Sequence, residues 1–104
     1  MEPIEEPTGD SRLAERLTTA TPEEREQLLR GLVLRHAAEI LEAPELDEES
    51  NFVENGLTSL RALQLSKALM NDTGLEAPLV AIVEHPTPTL LGKFLSETYE
   101  ADAA

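Results

Sequence analysis

Behind the segment Thr21-Pro22-Glu23-Glu24, Leu29, Val33, His36, Ala37 and Ile40 fall on one face at helical spacing, flanked by Leu32 and Leu41. That spacing matches the 3.6-residue period of an α-helix, so the face must be buried against other elements. The segment ahead supplies the start signal. Thr21 can cap, Pro22 suits the first helical position because its missing N–H would have no partner there, and Glu24 can close a capping box. The pattern predicts a helix of about five turns that ends near Ala43-Pro44.

The rest of the chain repeats this grammar. In residues 59–74, Ala62, Leu63, Leu65, Leu69 and Met70 fall on one side and Arg61, Gln64, Lys67 and Asn71 on the other, with Gly74 as the left-handed stop. Leu60 falls toward the polar side, as an exposed apolar group at the helix start. A last helix has Thr87 as cap and Pro88 in first position, and it presents Leu90, Leu91, Phe94 and Leu95 inward. Gly92, read on its outer side, costs it about 1 kcal/mol relative to Ala. Residues 10–17 suit a short helix, with Asp10 as N-cap and Leu13, Ala14 and Leu17 inward. The run Leu79–Val83 has the length of a buried strand, but no other segment offers it a partner, so a short helix or turn is expected. Between the first two long helices, Leu46, Phe52 and Val53 are expected to tack the acidic loop 44–55 to the core. The fold expected is all-α: a small four-helix bundle with a long first loop and one short helix, plus an extra short helix near the N-terminus. Its parts are a lead-in at 1–20, the domain proper at 21–99 and a frayed tail at 100–104. Pattern alone leaves open whether the long helices run parallel or antiparallel.

Composition supports helices and excludes several functions. Two Phe, one Tyr and no Trp leave the core to aliphatic side chains. The formal charge is −13, with fifteen acids and five bases in residues 1–54 but six acids and three bases in 55–104. Such a surface lacks the basic footprint that nucleic acid requires and would repel an anionic membrane, though it suits a basic protein surface. No stretch reads as a signal peptide or a membrane span, so the cytoplasm is the expected location. Without cysteine there is no disulfide, thiol nucleophile or thiolate metal site. His36 reads as a half-buried helix residue and His85 as a turn residue. Ser59 and His85 do not make a hydrolase, because Gly56 stands three residues before Ser59 and the G-x-S-x-G elbow is missing. The acidic loop has neither the alternation nor the central Gly of a calcium loop, so no metal is expected.

The segment Asn55-Gly56-Leu57-Thr58-Ser59-Leu60 remains. With Thr58 as cap, Ser59 takes the first helical position, where free N–H groups and the positive helix end favour a phosphate on its hydroxyl. Together with the wider pattern, this segment closely resembles acyl carrier protein domains of the modular polyketide synthase kind, across roughly residues 22–96. Phe52 matches the loop anchor, Gly56 the glycine, Ser59 the modified serine and Leu60 the leucine after it. Gly74 ends the helix, and Glu84-His85-Pro86-Thr87-Pro88 introduces the last one.

The resemblance implies that a phosphopantetheinyl transferase attaches 4′-phosphopantetheine from coenzyme A to Ser59, and that acyl or polyketide intermediates ride on the arm as thioesters. The thiol then belongs to the cofactor, which suits a cysteine-free chain. Ketosynthase, acyltransferase and other synthase or tailoring enzymes are the implied partners. They would be met transiently by a monomer, at a docking face including Thr58, Leu60, Arg61 and Gln64. The domain itself would not be an enzyme. Three positions depart from the family pattern: Thr58 replaces the usual Asp, Asn55 the usual Leu, and Gln64 stands where an acid is common. A peptidyl carrier of a nonribosomal peptide synthetase, or a carrier-like docking module without the arm, remain alternatives. A start at Met1 fits a free-standing protein or a domain excised from a megasynthase.

Overall fold

The computed structural model describes residues 10–103, with side chains from 13 to 102. The first nine residues of the expected lead-in and the side-chain cap at Asp10 lie outside them. The described residues form an all-α bundle: α1 (Asp10–Thr19), α2 (Pro22–Ile40), α3 (Ser59–Thr73), α4 (Leu79–Glu84) and α5 (Pro88–Ala103), with a 3-10 turn at Val53–Asn55. The run at 79–83 is helix, as its lack of a strand partner required. Thr21 closes the capping box on α2: its hydroxyl accepts from the Glu24 N–H, and the Glu24 carboxylate accepts from the Thr21 N–H at 3.0 Å. Thr87 caps α5 by accepting from the Leu90 N–H at 3.1 Å. Gly74, at φ 73°, ends α3 in the left-handed region that a side chain disfavours.

The core is aliphatic around one aromatic. Leu29, Val33, Ala37, Phe52, Leu65, Leu69, Ile82, Leu91 and Leu95 are fully or almost fully buried. The broadest packing is between α2 and α5. Arg25 of α2 meets Tyr99 and Glu100 of α5, whereas Arg30 meets Gly92, so these helices run antiparallel. That crossing corrects the reading of Gly92 as an outer residue. Gly92 is buried, and a Cβ there would lie 2.8 Å from the Arg30 Cα. The glycine lets two backbones meet, a demand that helical periodicity does not encode.

Several other expectations are corrected by the same geometry. Val53, Leu63, Met70 and Leu90 are exposed: Val53 lies in the 3-10 turn, Leu63 and Met70 at the margin of the buried stripe of α3, and Leu90 on the face of α5 opposite buried Leu91 and Leu95. Ala14 is exposed as well, while Leu17 beside it is buried. Ser66, polar by type, is buried on α3 and donates to the Ala77 carbonyl at 2.6 Å. The helix α5 continues to Ala103, beyond the frayed tail expected from residue 100. Arg25 explains part of this extension. Its guanidinium lies 4.4 Å from the Tyr99 ring centroid and pairs with Glu100, while also donating to the Leu17 and Ala20 carbonyls at the end of α1.

Candidate functional site

The site is built where the long loop turns into α3. Phe52 is fully buried and its N–H donates to the Pro86 carbonyl at 2.7 Å, so the loop is pinned to the α4–α5 connection. Further back, the Thr89 N–H donates to the Glu48 carbonyl and the Thr89 hydroxyl to the Glu49 carboxylate. The loop is therefore fastened along its middle despite its length. The 3-10 turn after Phe52 closes at Gly56, whose φ of 99° brings the chain round to Thr58.

At the entry to α3 the two adjacent hydroxyls have different roles. Thr58 is the N-cap: its backbone is extended and its side chain accepts from the Arg61 N–H at 3.2 Å. Ser59 is the first helical residue and is exposed. The cap thus relieves Ser59 of a structural duty. Its hydroxyl stands at the helix end where unpaired N–H groups carry partial positive charge. Arg61, half-buried, donates from Nη1 to the Gly56 carbonyl at 3.2 Å and braces the turn before Ser59. A Cβ on Gly56 would come within 3.2 Å of that same nitrogen, which a small shift of the flexible guanidinium would relieve; the φ of 99° is what favours glycine here. An exposed primary hydroxyl at a helix start, free of capping, fits covalent attachment of a phosphate-linked group.

Leu60, at 65% exposure, and Gln64 flank Ser59 on the open side of α3. The structure adds residues that the sequence reading did not single out. The helix α4 buries only Ala81 and Ile82, which leaves Leu79, Val80 and Val83 in solvent beside α3. A signal for them existed: an apolar run that surrounds a six-residue helix cannot be buried on every side.

The histidines are engaged elsewhere. His36 Nε2 lies 2.7 Å from an Asp72 carboxylate oxygen and links α2 to α3. His85 Nδ1 lies 2.8 Å from the Ala81 carbonyl, and its ring packs on Phe94. Among the described residues no cluster of His, Asp and Glu side chains is arranged to hold a metal ion, and no helix is long and apolar enough to cross a membrane.

Residues 31–95 match the family described as the phosphopantetheine attachment site. The chain belongs to that family. Its relatives include the phenolphthiocerol synthesis polyketide synthase type I Pks15/1 of Mycobacterium marinum, 40% identical over 98 residues that make up 86% of this chain and 5% of the relative. Erythronolide synthase EryA2 of Saccharopolyspora erythraea is 38% identical over 105 residues, 98% of this chain and 3% of that protein. The chain therefore spans only a small part of either relative. Among solved structures, the A1-type ACP domain from module 5 of MLSA1 matches with a TM-score of 0.76 at 33% identity, over 88% of this chain and 95% of that one. The protein is a carrier domain, non-catalytic by family, and α1 lies outside the matched family segment.

Proposed function

We propose that the domain carries acyl or polyketide intermediates for a polyketide synthase, with Ser59 bearing a 4′-phosphopantetheine arm. The observation that supports this most is the division of labour at the start of α3. Thr58 makes the cap, and Ser59 is left exposed in the first helical position of a phosphopantetheine attachment family member. Bound there, the arm supplies a terminal thiol that holds a carboxylic acid as a thioester. The chain's own residues provide placement: Phe52 and the Arg61–Gly56 brace hold the loop, and the helix N-terminus favours the phosphate. A tethered carrier raises the effective concentration of its cargo at each enzyme it visits, which suits a small transient contact surface.

The partners in this reading are a phosphopantetheinyl transferase, a ketosynthase, an acyltransferase and tailoring enzymes, met by a cytoplasmic monomer through Thr58, Leu60, Arg61 and Gln64. The relatives named above are polyketide synthases, which favours this cargo over a peptidyl one. Incubation with coenzyme A and a broad-specificity phosphopantetheinyl transferase tests the reading by intact mass. One phosphopantetheinyl addition is expected, followed by malonyl loading from an extender-unit acyltransferase. Failure of modification with a cognate transferase would favour an unmodified docking module. Aminoacylation by an adenylation domain, without malonyl loading, would favour a peptidyl carrier.

A further inference from the structure

A groove of about 480 Å³ lies between α1 and α2, with Asp72 near the far end of α3 at its edge, and none of its lining residues belongs to the proposed carrier site. Leu13, Leu28 and Leu32 give it apolar walls, and Arg16 and Arg35 stand along it. A second hollow continues it toward the α1–α2 turn, again past Arg16 and Leu28.

The charges along the groove are unusual for this protein. The chain carries −13, yet the side chains of Arg16 and Arg35 form no ion pair or hydrogen bond with a described residue. The other described arginines are engaged: Arg25 with Glu100 and the α1 carbonyls, Arg30 with Glu26 and Glu48, and Arg61 with Gly56. The two acids at the groove are engaged as well. Asp72 faces His36 at 2.7 Å, and Glu24 accepts from the Thr21 N–H in the capping box. An incoming anion would therefore meet two arginine side chains without a partner among the described residues, and two carboxylates already engaged.

Gly31 is the second, independent observation. It sits in the interior of α2, where glycine weakens a helix, and nothing lies within 4 Å of the Cβ it lacks. Internal packing thus gives no reason for this glycine, in contrast to Gly92. What it does provide is a bare strip of helix backbone on the groove floor.

We propose that the groove between α1 and α2 docks an acidic partner segment bearing aliphatic side chains, with its carboxylates on Arg16 and Arg35 and its apolar groups over Leu13, Leu28 and the strip at Gly31. At physiological salt, fields are screened beyond about 8 Å. The two local arginines then count for more than the acidic balance of the whole domain. This surface is separate from Ser59, so a carrier could be held by one contact while its arm is presented at another.

The test uses the full chain, isotopically labelled, titrated with the synthetic peptide EELLEELLEE at physiological ionic strength and followed by amide chemical shifts. Saturable shifts at Arg16, Leu28, Gly31 and Arg35 are expected, identical in Ser59→Ala, so the result is independent of the proposed arm. The double variant Arg16→Glu/Arg35→Glu should weaken binding by about tenfold or more. Gly31→Leu, at an open position, should block the groove while leaving the other amide resonances in place. The proposal is overturned by an absence of saturable shifts, by shifts centred on Leu60 and α4, or by equal binding of the lysine counterpart KKLLKKLLKK. It is also overturned if binding appears only once residues 1–9 are removed, which would give the groove to the chain's own N-terminal segment.

Discussion

At Thr58 and Ser59, two neighbouring hydroxyls are separated by a single backbone step from extended to helical geometry. Thr58→Ala removes the acceptor of the Arg61 N–H and should cost about 1 kcal/mol, measured by denaturant unfolding. Thr58→Asp should keep the cap, gain from the helix dipole, and raise kcat/KM for transferase modification toward that of carriers with the usual Asp. An unchanged rate would show that Thr58 already serves the transferase. The two helix glycines make a sharper contrast. Gly92→Ala drives a Cβ into the Arg30 backbone and should destabilise by about 1–3 kcal/mol. Gly31→Ala meets open space and should stabilise by up to about 1 kcal/mol. In a domain of this size each kcal/mol moves Tm by about 4–8 °C, so a thermal scan of both variants separates a crossing glycine from an uncrowded one. Sequence pattern could not make that distinction, because a helical wheel records direction and not how near the next backbone lies.

The elements were legible in proportion to how local their causes are. The Thr21-Pro22-Glu24 start, the Thr87-Pro88 start and the Gly74 stop involve residues within a few positions of one another, and all three were readable. Phe52 was readable as an anchor because a lone aromatic in an acidic loop has few other uses. Which marginal residues are buried depends on where neighbouring helices end. Val53, Leu63 and Met70 therefore came out exposed against expectation, and Ser66 came out buried. The relative direction of α2 and α5 likewise emerged only from contacts distant in sequence. At the candidate site, the capping role of Thr58 and the exposure of Leu60 were legible, the apolar face of α4 was signalled by its all-round apolar run but not singled out, and the brace from Arg61 to Gly56 left no sequence signal. The loop and the helix it feeds should respond differently to truncation. Phe52→Ala removes a fully buried ring and should cost about 3–5 kcal/mol. Leu60→Ala should leave stability within about 0.5 kcal/mol while slowing transfer reactions with partner enzymes. Equal losses of stability in the two variants would remove Leu60 from the docking face.

For the whole molecule, a charge of −13 on 104 residues means that self-repulsion opposes folding. Raising ionic strength from about 0.01 M to 0.15 M shortens the screening length from about 30 to 8 Å and should raise Tm. A fall in Tm would mean that attractive pairs such as Arg30 with Glu26 and Glu48 dominate instead. The architecture joins an aliphatic core to a loop pinned through Phe52 and through Glu48 on Thr89 of α5, and so offers Ser59 exposed at a fixed place. The central claim is that Ser59, and not its neighbour, receives the arm. Tandem mass spectrometry on the proteolytic peptide spanning residues 55–61 of transferase-treated protein tests it most directly. Phosphopantetheine on Ser59, and no addition to the peptide in Ser59→Ala, is the expected result. A group located on Thr58, or an addition that persists in Ser59→Ala, would contradict it.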